Sequence, residues 1–470
     1  MPTMEHDVQK LTLKREVELT GAVSFIAGTM IGSGIFISPQ YVLAAIGSPG
    51  ASLVIWACCG LLAMLGGLSY AELGTVIPES GAEYIYMLRT VGKVVAFMFV
   101  FTFINVMRPV SASGIALAFA EYVVAPFYSC SPPQLVVKCV AAAGILTLAV
   151  VNCLNVRLAT GIQVVTMVVK VLALAVIVLG GAVTLFQGQS NSFNNFFKGT
   201  NIGANSIGIA FYQGLWSYDG WNTLNYLTEE LKHPEVNLPR ALVIAISMVT
   251  ALYLMVNVSY LTVMTPKELM SSTAVAVTWG NKMFGNWGWI MSVAAALSAF
   301  GSLNGTFFSG GRVCFVAARE GHMPDILSMA HVHRLTPSPA LIFTTTISLI
   351  VLIPGDFQSI VNYFSFTAWF FYAITLSGLL YLKIKKPELP RPYRVPILIP
   401  ILVLIAAVFL VLAPIIDDPQ IEYLYVTLFI FSGVLVYVPF IHYKLCPGLL
   451  RKLTVFLQLF LEVAPAEKNL

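Results

Sequence analysis

No charged residue lies between Glu18 and Glu72. A helix needs about 20 mostly apolar residues to cross the hydrocarbon core of a bilayer, so this stretch is long enough for two crossings. The pattern continues along the chain, in which 10% of the residues are charged, whereas soluble domains contain about 25%. We therefore predict an all-α integral membrane protein.

Apolar runs between charged or Pro/Gly-rich segments predict about twelve transmembrane helices. Only Pro354, Gly355 and Asp356 separate the ninth run from the tenth. The runs lie near 17–41, 52–77, 92–124, 135–154, 158–186, 205–228, 239–264, 285–317, 338–354, 357–382, 395–415 and 421–443.

Lysine and arginine residues are distributed unevenly among the segments that connect these runs. With a cytosolic N-terminus, the outer segments contain only Lys138, Lys198, Lys267 and Lys282. Because cytosolic loops of membrane proteins carry an excess of Lys and Arg, we predict that both termini are cytosolic. The first run is too long for a signal-peptide core and lacks a small-residue cleavage site. We expect it to be retained as a signal anchor.

Glycines interrupt the first and the sixth of the predicted spans, at residues 28–36 and 216–222. Irregular backbone at membrane depth is tolerated only where protein or a water-filled cavity surrounds it. Two Gly-interrupted spans at corresponding places in two halves are typical of the substrate site of a secondary transporter. Since each half has five spans, the second half enters the membrane from the opposite side, which predicts an inverted repeat.

This topology divides the chain into four parts. We predict a cytosolic N-terminal segment, a transporter core of ten spans, two further spans and a cytosolic C-terminal tail. Their respective ranges are 1–16, 17–382, 383–443 and 444–470.

The first break suits the two charged groups of an α-amino acid. Unwinding frees backbone N–H groups, and the half-helix that follows directs its positive dipole end at the break, which favours a carboxylate. The carbonyl groups left by the preceding half-helix favour an ammonium group. Gly28 and Gly32 are four residues apart, so a face for close helix packing is the alternative.

Asp219 lies inside the second break. A carboxylate at mid-membrane costs about 2.5–3.5 kcal/mol on insertion scales, so we expect it to face a cavity and to meet a cation. That cation is the α-amine or a basic side chain of the substrate, a sodium ion, or an internal Lys or Arg. Trp216, about one turn earlier, offers an indole face for stacking or a cation–π contact, with core packing as its alternative role.

Three further polar residues lie inside predicted spans. The ammonium of Lys170 can take the place of a sodium ion or form a structural ion pair. Arg108 precedes Pro109, which predicts a kink; we expect this arginine to snorkel or to pair, without a substrate role. Asn304 is a candidate contact for the distal end of a ligand, with helix–helix hydrogen bonding as the alternative. The candidate substrate-binding residues are Thr29, Met30, Ser33, Gly34, Trp216, Asp219, Asn222 and Asn304.

Cys130 lies in a short polar loop that the predicted topology places outside. An unpaired cysteine in an oxidising compartment suggests an intermolecular disulfide or a free thiol. Cys139, inside the fourth predicted span, is the competing partner.

The sequence contains no Walker loop, no HExxH motif and no set of Ser, His and Asp typical of hydrolases. We predict that the protein is not an enzyme, that it needs no cofactor or metal, and that it does not bind nucleic acid. Two glycosylation sequons, at Asn257 and Asn304, fall inside predicted spans, so we expect neither to be modified.

Three motifs resemble the light-chain subunits of the heteromeric amino acid transporters, in the amino acid–polyamine–organocation superfamily. They are residues 28–39 (GTMIGSGIFISP), 226–230 (YLTEE) and 319–322 (REGH). Residues 218–222 (YDGWN) are similar to the b(0,+)-type branch, whose members exchange dibasic amino acids and cystine for neutral amino acids. The resemblance covers essentially the whole chain.

The resemblance implies roles for residues in both breaks. The backbone amides of Ser33 and Gly34 would hold the substrate carboxylate, and carbonyl groups near Met30 and Trp216 would hold its amine. Asp219 would face a basic side chain or the amine.

Two more roles follow from the same resemblance. Lys170 corresponds to the lysine that replaces sodium in sodium-independent members. Cys130 corresponds to the cysteine that forms a disulfide with a single-span glycoprotein heavy chain, of the rBAT type for this branch.

These features together predict a LeuT-like transporter, with a 5+5 inverted repeat and broken helices 1 and 6. We expect sodium-independent exchange of cationic amino acids, and cystine, for neutral amino acids by alternating access at the plasma membrane, including the apical membrane of epithelia. One alternative is a neutral-only exchanger, in which Asp219 binds the α-amine or is paired internally. Another is an amino-acid-gated channel or sensor.

Overall fold

The computed structural model describes residues 17–188, 193–331, 333, 338–416, 419–445 and 447–465. The predicted N-terminal segment 1–16 and the last five residues of the predicted tail lie outside these ranges. The fold is helical, with a single pair of three-residue strands, β1 (Met329–His331) and β2 (Val463–Pro465). The helices are α1 (Leu19–Met30), α2 (Gly34–Ile46), α3 (Pro49–Val76), α4 (Glu83–Thr90), α5 (Lys93–Thr102), α6 (Arg108–Val124), α7 (Gln134–Leu154), α8 (Val156–Phe186), α9 (Ala204–Ser217), α10 (Pro234–Val263), α11 (Pro266–Ser271), α12 (Val275–Phe284), α13 (Trp289–Arg319), α14 (Ser338–Leu352), α15 (Phe357–Lys385), α16 (Leu398–Ile416), α17 (Ile421–Val436) and α18 (Pro447–Leu461).

The prediction of an all-α membrane protein is confirmed. In the part of the chain that the structure describes, nine helices are long and apolar enough to cross a bilayer, and α1 with α2 makes a tenth span bent by 50°. The ninth predicted span is the shorter apolar helix α14, and four residues separate it from α15. The sixth is α9, which is 14 residues long. The count of twelve spans stays a prediction.

The third span is one continuous helical segment from Lys93 to Phe127 and is not interrupted at Pro109. The chain forms a π-helical segment at Phe103–Met107, immediately before α6 and next to the proline at which a kink is predicted. Proline lacks an N–H and its ring crowds the carbonyl group four residues earlier, here that of Asn105. A wider turn accommodates this crowding, and such segments are frequent at functional sites.

The two broken helices lie at the centre of the bundle. Helix α2 packs along α9, and α1 packs against α10, while α13 lies against both α6 and α8. These contacts enclose both breaks with long apolar helices. This arrangement is compatible with the predicted inverted repeat. The repeat itself stays a prediction.

A buried ion-pair cluster ties α3 to the segment after α15. The side chain of Glu72 is completely buried, and its Oε1 lies 2.9 Å from Nζ of Lys383 and 3.3 Å from Nε of Arg391. Arg391 also donates to the carbonyl oxygens of Leu382 and Lys386. In the sequence this basic segment contributes only to the charge distribution that predicts topology, whereas in the fold two of its cations neutralise a buried carboxylate.

The C-terminal region returns to the surface of the bundle. Helix α17 continues as a π-helical segment to His442, and α18 begins at Pro447. Strand β2 then pairs antiparallel with β1, which follows α13. Helix α18 is therefore held at both ends, by the last span and by this strand pair.

Candidate functional site

The two breaks lie against each other. Helix α1 ends at Met30 and α2 begins at Gly34, while α9 ends at Ser217. A Cβ atom added to Gly34 would lie 2.8 Å from Cα of Ser217. At Gly220, where φ is 106°, an added Cβ would lie 2.8 Å from Cγ2 of Thr29. Glycine is therefore required at both positions by the close approach of the two chain segments.

A buried hydroxyl group joins the breaks. Oη of Tyr253 on α10 lies 2.8 Å from the carbonyl oxygen of Met30 and 2.8 Å from that of Ser217. The other carbonyl groups freed by the first break also find side-chain partners. Ser298 donates to Gly32 at 3.2 Å, and Tyr122 donates to Ser33 at 3.0 Å. The first break is thus held by side chains from α6, α10 and α13.

A cavity of about 810 Å³ adjoins both breaks. Its lining extends to Glu18, whose side chain is 72% exposed, so the cavity reaches the surface at the face where α1 begins. It is large enough for a free amino acid. The predicted residues that line it are Thr29, Met30, Ser33, Gly34, Lys170, Trp216, Asp219 and Asn222.

Asn304 is the one predicted site residue that does not line this cavity. Its side-chain amide donates to the carbonyl oxygen of Ala159 at 2.9 Å and to Oε1 of Gln163 at 3.2 Å. It accepts from Nδ2 of Asn152 at 3.0 Å. The residue therefore joins α13 to α7 and α8, which is the alternative role considered for it.

Lys170 reaches the first break from α8. Its side chain is 1% exposed, and Nζ lies 2.9 Å from the carbonyl oxygen of Ile31 and 3.4 Å from that of Gly28. Among the described residues it forms no ion pair with a carboxylate. Its ammonium group is held by backbone oxygens, the kind of ligand that a hard cation such as sodium takes.

The N-terminus of α2 supplies the other half of the first break. This helix has 13 residues, its N-cap is Ser33, and no side chain caps it. Its first N–H groups therefore remain available to a ligand, at the positive end of the helix dipole. Ser33 and Gly34 both line the cavity, so these donors lie at the cavity wall.

Asp219 lines the cavity and makes no ion pair within the described ranges. Arg108 lines the same cavity. Its guanidinium carbon lies 5.0 Å from the centre of the Phe103 ring, and its Nε is buried without a hydrogen-bond partner. The sequence assigns Arg108 no substrate role, and its place on the cavity wall is a feature that only the structure shows.

Glu83 is a further carboxylate in the cavity lining, and no sequence pattern predicts it. It lies outside the predicted spans, at the first position of α4, and is 2% exposed. It accepts hydrogen bonds from the side-chain amide of Asn222, from the hydroxyl of Tyr226 at 2.7 Å and from that of Tyr70 at 3.3 Å. The preceding residue, Ala82, has a φ of 47°. This strained turn brings the carboxylate into contact with the second break.

Aromatic side chains pack around Trp216 at the cavity wall. The ring of Trp216 packs edge-on against Phe364 and Phe357, with centroid distances of 5.2 and 6.1 Å. Phe357 in turn stacks on Tyr41 of α2 at 5.6 Å. These contacts correspond to core packing, the alternative role predicted for Trp216, and the packed ring also lines the cavity.

Cys130 is exposed in the loop between α6 and α7, and Cys139 is exposed on α7. Neither is paired within this chain. No group of three or more His, Cys, Asp or Glu side chains suited to a metal ion is found among the residues described.

Comparison with known proteins gives one family and several close relatives. The model of the amino acid permease family matches residues 17–440. The human protein named b(0,+)-type amino acid transporter 1 is 49% identical over 461 residues, 97% of this chain and 95% of the relative. The human cystine/glutamate transporter is 40% identical, over 98% of this chain and 93% of the relative. The mouse large neutral amino acids transporter small subunit 2 is 42% identical, over 87% of this chain and 78% of the relative.

Proposed function

Because this chain belongs to the amino acid permease family, a family of membrane transporters and not of enzymes, we propose that it is a sodium-independent amino acid exchanger. It would move cationic amino acids, and cystine, in exchange for neutral amino acids by alternating access. The relatives named above transport amino acids of several side-chain classes. The side chains that line the cavity must therefore determine which of these classes this chain transports.

The first break supports binding of the part that all α-amino acids share. The uncapped N-terminus of α2 offers N–H donors and a positive dipole end to the α-carboxylate. The carbonyl groups of Met30 and Ser217 already meet Tyr253, yet each carbonyl oxygen has a second lone pair. An α-ammonium group placed beside Trp216 could donate hydrogen bonds to these carbonyl oxygens.

Lys170 supports the proposal that exchange does not need sodium. Its ammonium bonds to the carbonyl oxygens of Gly28 and Ile31, so a fixed positive charge stabilises the unwound end of α1. A sodium ion placed there would meet this charge at close range, which is strongly unfavourable in a buried site.

The observation that carries the substrate class is Asp219, an acidic side chain on the cavity wall that forms no ion pair with any residue the structure describes. A basic substrate side chain would supply the missing cation. Glu83 adds a second negative group to the same wall. A neutral substrate fits the same site without meeting Asp219, which agrees with exchange between the two classes.

Asp219→Asn should selectively weaken transport of cationic amino acids. Losing a charged hydrogen-bond partner costs about 1.5–3 kcal/mol, so we expect uptake of arginine to fall about tenfold or more while uptake of leucine changes little. The measurement is counterflow in proteoliposomes with arginine, cystine, leucine and glutamate. Asp219→Glu is the matched control, because it keeps the charge.

Equal losses for arginine and leucine would exclude a role in side-chain selection. Arg108 lines the same cavity, so pairing of Asp219 with this internal cation is the arrangement that the neutral-only alternative requires. The channel or sensor alternative makes a different prediction in the same vesicles. Labelled substrate would then leave without amino acid on the other side, whereas an exchanger requires it.

The protein is a multi-pass membrane protein, and one relative is named as a small subunit. We propose that it pairs through Cys130 with a single-span glycoprotein heavy chain, of the rBAT type, at the plasma membrane. Support comes from the exposure of this thiol in the loop between α6 and α7. With both termini cytosolic, that loop faces the oxidising exterior.

Cys130→Ser should abolish the disulfide-linked complex with the heavy chain. Co-expressed chains are separated on non-reducing gels, and the high-mass band is expected to disappear completely. Cys139→Ser is the control and should retain the band, since Cys139 lies on α7. A band that persists in Cys130→Ser and disappears in Cys139→Ser would assign the bond to the other cysteine.

A further inference from the structure

Helix α18 directly follows the last transmembrane span. That span ends at His442, and α18 begins at Pro447, so only four residues separate them. The other end of α18 leads into β2, which pairs with β1 on the segment after α13. Both ends are therefore held at one face of the bundle, which places α18 at the level where α17 leaves the membrane.

An apolar stripe runs along α18 and points away from the protein. It consists of Leu449, Leu453, Phe456 and Phe460, spaced four, three and four residues apart, so that they share one helix face. These side chains are 69%, 53%, 63% and 74% exposed. The rings of Phe456 and Phe460 stack on each other at 6.2 Å. Such a continuous apolar surface outside the spans marks an interaction site.

The charges around this stripe are mainly positive. Between Lys444 and Glu462 the chain contains three basic residues and one acidic residue. Arg451 and Lys452 are exposed on α18 itself. The helix thus combines an apolar face with basic side chains, which is the pattern of helices that lie in the interface of a membrane.

A transmembrane position for α18 is excluded by its length and its ends. Its 15 residues span about 22 Å at 1.5 Å per residue, whereas the hydrocarbon core is about 30 Å thick. The pairing of β2 with β1 also keeps its C-terminal end at the face where it begins.

We propose that α18 is a membrane-surface anchor, and that its partner is the anionic lipid surface of the bilayer beside α17. The stripe enters the boundary between headgroups and acyl chains, and Arg451 and Lys452 bind the acidic headgroups. Continuity with the last span selects this occupant, because the apolar stripe starts where the protein leaves the membrane. The proposal does not depend on what the cavity transports.

Photo-crosslinking tests this position in the full-length chain. The photoreactive amino acid p-benzoylphenylalanine replaces Phe456 and, as a matched control, Gln458, which lies on the opposite side of α18 and is partly buried. Each variant is reconstituted in nanodiscs of phosphatidylcholine, with or without phosphatidylserine. Only preparations that remain monodisperse in size-exclusion chromatography are irradiated, and adducts are identified by mass spectrometry.

We expect lipid adducts at position 456 and none at position 458, with a greater yield when phosphatidylserine is present. The gain from phosphatidylserine should disappear when Arg451→Gln and Lys452→Gln are added. Equal lipid adducts at the two positions, or no lipid adduct at 456, overturns the proposal. Crosslinking of position 456 to a second copy of the chain also overturns it and assigns the stripe to a protein interface.

Discussion

Gly34→Ala should nearly abolish amino acid exchange. The added Cβ would lie 2.5 Å from Oγ and 2.8 Å from Cα of Ser217. Although a side chain can rotate away, the Cα belongs to the backbone of the second break, so the two breaks must separate. Overpacking of this kind costs about 1–3 kcal/mol or more. We expect exchange per molecule at the cell surface to fall about tenfold or more.

The chain provides a matched control for this substitution. A Cβ added to Gly161, on α8, meets nothing within 4 Å, and alanine is the better helix former. Gly161→Ala should therefore keep normal exchange and normal surface amounts. If Gly34→Ala also exchanges normally, the close contact between the breaks is not needed during transport.

Glu83→Gln should produce the second large loss of exchange. The carboxylate now accepts from Asn222, Tyr226 and Tyr70, and a glutamine has only one acceptor oxygen. Its amide group would therefore stand where one of these three groups now donates, so at least one of the present hydrogen bonds must be lost or reversed in a buried site. An unsatisfied buried partner costs about 1–3 kcal/mol, so we expect exchange to fall roughly five- to hundredfold, for neutral and cationic substrates alike.

Swapping the carboxylate and the amide of the Glu83–Asn222 hydrogen bond tests whether Glu83 positions the second break or only stabilises the fold. Adding Asn222→Asp to Glu83→Gln restores a donor opposite an acceptor, with the charge moved to the second break. Neighbouring residues show coupling energies of about 0.5–3 kcal/mol, so the double variant should exchange faster than either single variant. The four proteins are compared by counterflow after normalising for surface amount. A double variant no better than the weaker single variant contradicts a positioning role for Glu83.

The features that the sequence predicts best are those in which local chemistry decides the outcome. An uncharged stretch from Glu18 to Glu72 can only be membrane helices, and glycines within it predict where the helix unwinds. The sequence predicts the first break at residues 28–36, and the helix ends at Met30 and restarts at Gly34. A lone lysine in an apolar span must find oxygen ligands, and Lys170 finds two carbonyl groups.

The second break differs from the first in a way that the sequence did not predict. After residues 218–222 the chain continues as a 3-10 helix, Thr223–Glu230, and not as an α-helix. Asn222 and Tyr226 both bond to Glu83 here. These tertiary contacts determine the local conformation, whereas sequence patterns report only on neighbours along one element.

Side-chain direction is the other feature that the sequence does not determine. Glu83 lies in a segment between predicted spans, yet it is buried at the cavity wall, because the turn at Gly81 and Ala82 directs it inward. In the sequence Glu72 only marks the end of the uncharged stretch. In the fold it pairs with Lys383 and Arg391, which are more than 300 residues away along the chain. Contacts between distant elements leave no local pattern.

The attachment of the Lys170 charge to the protein affects how transport depends on the membrane voltage. Its ammonium is bound covalently to α8 and bonds to the end of α1, so this charge stays with the protein while a sodium ion would travel with the substrate. Under the proposed sodium-independent exchange, each cycle would carry only the difference in charge between the two amino acids. Entry of arginine against exit of leucine moves one positive charge inward, and an interior-negative voltage favours this by about 2.3 kcal/mol per 100 mV. The direction of exchange would thus follow the electrical state of the cell as well as its amino acid pools.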